Sequence, residues 1–221
     1  LAFALQTGRS AMGPLGLFLG SWLVFGAAVD IWSRTGRGAI GDRSRRLLRL
    51  PGADWGKAVA HAGLGVTMFG IAGLMAWEAE DIRVVQKGES FDIAGFTLTL
   101  EDVQRVQGPN YISTMGTVEV TRDGRTVSTL YPEKRFYPVA EMPTTEAAID
   151  NGFLRDVYVV IGDPQDNGGW AVRTYYKPLA NWIWGGSILM ALGGFISLSD
   201  RRYRVAAGAR RTRGAAGVPA E

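Results

Sequence analysis

Apolar positions fall into three long runs, and the stretch between the second and third follows a different rhythm. A helix needs ~20 apolar residues to cross the ~30 Å hydrocarbon core of a bilayer. Windows at about residues 11–32, 58–77 and 179–198 meet that length with few or no ionisable groups. Asp30 stands at the end of the first, within reach of headgroups. From about residue 82 to 176 the period changes to two. Phe96, Leu98 and Leu100 alternate with Thr97, Thr99 and Glu101, and Val118 and Val120 alternate with polar neighbours. Asp123-Gly124 then predicts a two-residue hairpin turn into residues 126–131. Val157, Val159 and Ile161 alternate again, and Trp170, Val172, Thr174 and Tyr176 predict a last strand that runs into the third apolar window. Residues 142–151 open with Pro143-Thr144-Thr145-Glu146, which suits a capped short helix.

The fold class expected is a membrane α-helical plus β protein. Three transmembrane helices carry a small antiparallel β domain, barrel or sandwich, inserted between helices two and three. The expected organisation is residues 1–33 for the first transmembrane helix, 34–57 for an Arg-rich loop and 58–77 for the second helix. Residues 78–178 form the β domain, 179–198 the third helix and 199–221 a basic tail, Ala-, Gly- and Arg-rich and expected to be disordered after Arg204.

Charge orients this arrangement, because short cytoplasmic loops are enriched in Lys and Arg. Arg34, Arg37, Arg43, Arg45, Arg46 and Arg49 lie between the first two windows, with Lys57 at the next helix entry. Arg201, Arg202, Arg204, Arg210, Arg211 and Arg213 follow the third. Residues 78–177 carry ten Lys/Arg against sixteen Asp/Glu. The N-terminus and the β domain are therefore expected outside and the C-terminus inside, with Trp77, Trp182 and Trp184 in the outer aromatic belt. The basic clusters flank apolar runs and are not interleaved with aromatics, so nucleic acid is set aside as a partner. Membrane lipid is expected as one.

Gly16 and Gly20 form a G-xxx-G pair, and Gly63, Gly65, Gly70, Gly73, Gly185, Gly186, Gly193 and Gly194 punctuate the other two windows. Such residues let membrane helices approach closely, and their number predicts a bundle with further helices. The chain begins at Leu1, which fits a piece of a longer polypeptide or a processed one; the first segment lacks the basic start of a signal peptide.

Most chemistry is excluded by composition. There is no Cys, hence no disulfide, thiolate metal site or cysteine nucleophile, and neither a P-loop nor a dinucleotide fingerprint. Asp163, Asp166 and Asn167 faintly resemble a calcium loop but have the spacing of a solvated turn. No catalytic residues are assigned. The exception is the single histidine, His61, about one turn inside the second window among Ala58, Ala60, Ala62 and Gly65, with Met68 further along. A polar ring in hydrocarbon needs a partner. Imidazole is a common axial ligand of haem iron, and small neighbours leave room for a flat macrocycle; the alternative is a hydrogen bond to a neighbouring helix. Arg135, Arg173 and Lys177 suit haem propionates or a protein partner, and equally the surface of a β domain.

Several stretches resemble the C-terminal third of CcmF-type proteins, the haem lyase subunits of bacterial cytochrome c maturation. They are Trp55-Gly56-Lys57-Ala58-Val59-Ala60-His61-Ala62-Gly63, Gly108-Pro109-Asn110-Tyr111, Pro132-Glu133-Lys134-Arg135-Phe136-Tyr137 and Met142-Pro143-Thr144-Thr145-Glu146-Ala147. Asp156-Val157-Tyr158-Val159-Val160-Ile161-Gly162-Asp163, Lys177-Pro178-Leu179, Trp182-Ile183-Trp184-Gly185-Gly186 and Ser199-Asp200-Arg201-Arg202 continue in order. The resemblance implies a multi-pass protein of the bacterial inner membrane with its β domain in the periplasm. It implies receipt of haem from a haem chaperone and its covalent attachment to the cysteines of apocytochrome c. Thiol-reducing and chaperone subunits are implied as further partners.

The resemblance also implies a b-type haem (haem b) in the membrane, held by two histidines from different helices and kept reduced by electrons from quinol. The histidine of the helix that enters the outer β domain is one ligand, and His61 holds that position. The family's tryptophan-rich haem segment, its two outer histidines and its second membrane histidine have no counterpart here. One histidine supplies one axial bond, so the second is expected from the N-terminal remainder of the same protein or a separate subunit. This chain alone is not expected to be catalytic. The alternative function is a non-catalytic, membrane-anchored β module that docks cytochrome c maturation partners.

Overall fold

The computed structural model describes residues 11–200. The tail arginines from Arg201 onward, and the expectation of disorder there, lie outside the described residues. The chain divides into two compact units, one of helices (residues 11–72 and from 182) and one built on strands (residues 73–181).

The helices are α1 (Met12–Ser33), α2 (Ile40–Leu47), α3 (Gly52–Trp77) and α4 (Ala180–Ser199). Of these α1, α3 and α4 are long and apolar enough to cross a membrane, and α3 is the most enclosed of the three. α3 begins six residues ahead of the apolar window. Pro51 fixes its entry, Asp54 lies in its first turn, and the Ala53 N–H donates to Asp200 Oδ2 beyond α4 at 3.0 Å. A carboxylate there satisfies an orphan donor and suits the positive end of the helix.

Glycine determines how α3 meets its neighbours. A Cβ added at Gly20 would stand 2.9 Å from the Gly65 carbonyl oxygen of α3, and one at Gly16 would meet Ala72 Cβ at 2.9 Å. On the α4 side, a Cβ at Gly63 would lie 2.7 Å from Gly186 O, and one at Gly56 2.5 Å from Gly193 O. Real Cβ atoms do not approach so closely. Both contacts are backbone against backbone, the small-residue packing that joins helices where lipid gives no hydrophobic drive. Phe69 and Trp182 add an edge-on ring contact at 6.3 Å.

At the end of α1, Asp30 finds charged partners within the chain. It pairs with Arg34 at 3.3 Å and with Lys57 at 2.7 Å, while Arg34 also meets Asp54 at 2.7 Å, so four charges at the ends of α1 and α3 close on one another. The Arg-rich connection holds α2, an amphipathic helix that the three-span pattern did not anticipate. The chain turns into it through Gly36 and Gly38, both at positive φ, where glycine carries no Cβ penalty. Arg43 anchors it, donating to Thr35 Oγ1 and the Trp32 carbonyl and lying 4.2 Å over the Trp32 ring.

The strand unit is a sandwich. One sheet has four strands in the order β1 (Ala79–Val85), β10 (Trp170–Pro178), β9 (Arg155–Pro164) and β8 (Ala148–Asn151). The other has six. β2 (Ser90–Ile93), β3 (Phe96–Gln107), β4 (Ile112–Arg122), β6 (Glu133–Tyr137) and β7 (Met142–Glu146) run in that order, and β5 (Arg125–Leu130) also pairs with β4. All pairs are antiparallel. The alternating residues turn inward as their period requires: Phe96, Leu98, Leu100, Val118, Val120, Val157, Val159 and Val172 form one buried core. Asp123 (φ 52°) and Gly124 (φ 72°) make the anticipated hairpin turn.

Residues 142–151 are not a helix. They form β7, paired with β6, and β8, paired with β9. Glu146, the last residue of that Pro-Thr-Thr-Glu stretch, faces Arg135 at 3.6 Å. Cross-strand pairing outweighs a local capping signal that has no apolar helical stripe behind it.

The α3–α4 contact makes a direct test. Gly186→Ala is expected to lower the stability of the purified chain by about 1–3 kcal/mol in an unfolding titration, as overpacking does. Gly185→Ala, where an added Cβ meets nothing within 4 Å, is expected to leave it unchanged or raise it slightly.

Candidate functional site

His61 lies nine residues into α3, about 13.5 Å along its axis, because the helix starts six residues ahead of the apolar window. Its ring is exposed, on the face that also presents Lys57, Leu64 and Ile71. Its Nδ1 is 2.8 Å from the Lys57 carbonyl oxygen one turn back. A carbonyl only accepts, so Nδ1 carries the proton and the Nε2 lone pair is left free. That arrangement is what a metal-ligating imidazole requires, with one nitrogen pinned by a backbone acceptor and the other presented.

The small residues near His61 are taken up by helix packing. Ala58 is buried with Ala27 and Ile31, Gly65 faces α1, and Ala60 lies against Gly193 of α4. The expected alanine-and-glycine floor for a macrocycle is therefore absent, and Met68 is half-buried towards Gly20. The imidazole alone fits a haem iron. Among the described residues no group of three or more His, Cys, Asp or Glu could hold a metal ion.

In the sandwich, two stretches of the sequence, at Tyr111 and at 133–137, meet around Arg135. Its Nε donates to Glu133 Oε2 at 2.9 Å, and its guanidinium lies 4.5 Å from the Tyr111 ring centroid. The Tyr111 and Tyr137 rings meet in a tilted contact, 5.6 Å between centroids. The hydrogen bond from Arg135 holds the Glu133 carboxyl below its ordinary value of 4.5, and the same contact raises Arg135. Arg173 and Lys177 lie elsewhere, paired with Glu80 at 3.4 Å and Glu78 at 3.5 Å. The three cations do not form one site. In the turn of residues 163–169, Asn167 Oδ1 accepts the Gly169 N–H and Asp163 pairs with Lys134, so the side chains serve the sandwich.

A cleft of about 650 Å³ opens on the inner face of the six-stranded sheet, past the hydrophobic core. A register shift between Leu100 and Asp102 puts Val103 and Arg105 on that face, beside Ile112 and Thr114. Lys134, Phe136 and Pro143 continue it across β6 and β7, and Asp163 and Trp170 stand at the end of the opposite sheet. Its residues come from six strands, and no spacing in the sequence groups them.

The model of the CcmF C-terminal beta-sandwich matches residues 76–178. The chain is 58% identical over 223 residues to the cytochrome c-type biogenesis protein ccl1 of Rhodobacter capsulatus, covering 100% of this chain and 33% of that protein. It is 43% identical over 195 residues to the cytochrome c-type biogenesis protein CcmF of Escherichia coli, covering 88% and 29%. The chain thus spans about a third of the length of these curated relatives. A solved structure titled Cytochrome c Heme Lyase CcmF shares the fold with a TM-score of 0.57 at 16% identity, covering 84% of this chain and 34% of that one.

The Glu133–Arg135 pair predicts a pH dependence. A carboxyl depressed on folding adds stability that is fully present above its unfolded value and is lost as pH falls through the lower folded value. Glu133 is therefore expected to make part of the sandwich's stability disappear as pH drops below about 4.5. Glu133→Gln should flatten that segment of a stability-against-pH curve while leaving the curve near neutrality almost parallel.

Proposed function

Because the chain belongs to the CcmF family and corresponds to its C-terminal part, we propose that it forms part of a haem lyase for cytochrome c, with His61 giving one axial bond to a membrane haem b. The observation that carries this reading is the pinned imidazole: Nδ1–H on the Lys57 carbonyl, Nε2 free, on an exposed face of a membrane-length helix. A polar ring at that depth is costly without a partner, and iron is a partner that imidazole suits. A second ligand would come from the N-terminal remainder or a companion subunit. A haem held there would supply electron transfer, with quinol as the electron source. The role of this chain's own residues is to fix the tautomer and direction of the ligand and, through α1 and α4, to hold α3 rigid behind it.

The arginines between α1 and α3 support a cytoplasmic placement for that end and, with it, a periplasmic sandwich on a bacterial inner membrane. There it is placed to meet the haem chaperone, apocytochrome c and its thiol-reducing subunits. The cleft favours a second reading alongside the first, in which the sandwich is the docking module and Lys134, Phe136 and Trp170 face the partner.

His61→Ala, made in the protein together with its N-terminal part, is expected to abolish the low-spin b-type absorbance of the reduced form. Survival of that spectrum unchanged would remove His61 as a ligand. Lys134→Glu with Phe136→Ala should instead reduce co-purification of apocytochrome or a thiol-reducing subunit and leave the spectrum intact. Retention of both partners at wild-type level would exclude the cleft as the dock.

A further inference from the structure

The connection between α1 and α3 combines two features that a solvated loop does not need together. Residues 35–50 contain five arginines and one acid, Asp42, and the same segment exposes two large apolar side chains, Ile40 (75%) and Leu48 (82%). Their spacing brings Ile40, Ser44 and Leu48 onto one side of α2, with Arg45 on its flank and Arg49 and Arg46 further round towards the opposite side. The flank towards Arg43 and Leu47 is already occupied. Arg43 is held on Trp32 and Thr35, and Leu47 and Leu50 pack with the Ala27–Ile31–Ala58 cluster. The orientation of α2 is therefore fixed, and the apolar edge of Ile40 and Leu48 is left outward.

The segment is held near the ends of two membrane-length helices. Only residues 34–51 separate two helices of membrane-crossing length, and both ends of α2 are tied back to them. The side chains of Arg37, Arg45 and Arg49 carry no hydrogen bond or ion pair among the described residues. A short helix with an apolar edge bordered by unpaired arginines is built to lie in the plane of an interface, with its apolar groups at the acyl boundary and its cations on phosphates.

We propose that α2 and its flanking arginines are a seat for anionic phospholipid headgroups: Ile40 and Leu48 enter the upper acyl region while Arg37, Arg45 and Arg49 bind lipid phosphates. The occupant is lipid, because a net positive, partly apolar face at bilayer level complements an anionic leaflet in both respects. Bound headgroups also hold the ends of α1 and α3 at a fixed depth and neutralise a charge cluster that would otherwise repel itself.

This rests on the membrane reading, and the test separates the two. The chain has no Cys, so Ser44→Cys takes a single environment-sensitive fluorophore between the two apolar side chains and leaves both in place. The labelled chain is reconstituted into vesicles of phosphatidylcholine alone or mixed with phosphatidylglycerol, and quenching by aqueous iodide is measured. Resistance to carbonate extraction reports membrane insertion independently of α2. The seat predicts bluer emission and about fivefold less quenching in the mixed vesicles, reversed by high salt. Each of Arg37→Gln, Arg45→Gln and Arg49→Gln is expected to reduce the preference for the mixed vesicles about fivefold. Equal iodide access in both lipids, or a lipid preference that survives the triple glutamine variant, would overturn the proposal even with the chain fully inserted.

Discussion

In hydrocarbon a helix gains nothing from hiding apolar side chains against another helix, so close backbone contact has to hold the bundle. Here that contact lies on α3. Gly56, Gly63 and Gly65 bring its backbone against Gly193, Gly186 and Gly20. Two partners on two faces fix the rotation of α3 about its axis, and the face left over carries His61. The direction of the one histidine therefore follows from glycines that never touch it. The Nδ1 bond to the Lys57 carbonyl then fixes the ring within that direction. The direction of the imidazole in this chain depends first on helix packing and only then on its own hydrogen bond.

The sandwich follows a different economy of contacts. Its core is an ordinary hydrophobic one, made by alternate residues of both sheets. Its cleft exists because the sheets differ in extent. β3 and β4 continue past the shift at Leu100 and Asp102, and β6 and β7 extend the inner face, while the opposite sheet ends near Asp163 and Trp170. Pro132 interrupts the chain between β5 and β6, so β4 is paired by two short strands in succession, with Gly116 N–H donating to the Pro132 carbonyl at 2.9 Å. A wall built from short pieces provides an edge that a partner can meet.

Much of this was legible in the sequence. Three apolar runs gave three long helices, and the alternation at Phe96–Leu100, Val118–Val120 and Val157–Ile161 identified the inward face of the sandwich, because period two has one physical meaning on a strand. The Asp123-Gly124 turn was equally readable. Residues 142–151 were misread because Pro-Thr-Thr-Glu is a strong local signal, whereas β6 and β9, which claim those residues, lie elsewhere in the chain. α2 escaped because eight Arg-rich residues produce no long periodic stretch. The neighbourhood of His61 was misread for a related reason. Small residues show that something approaches closely, not what does, and here it is α1 and α4. The cleft had no signature at all, since its walls come from strands brought together only by folding.

One hydrogen bond reaches across most of the chain: the Ala53 N–H of α3 finds its acceptor on Asp200, 147 positions later. At about 5–20 residues per second, the ribosome takes roughly 7–30 s to cover that distance. During this interval α3 has α1 for company but neither its α4 partner nor the carboxylate that finishes its first turn. The strands emerge in between and have their own core to form. Biogenesis of this chain thus runs with an open bundle waiting on a nearly finished sandwich, and the last residues described here are the ones that close it.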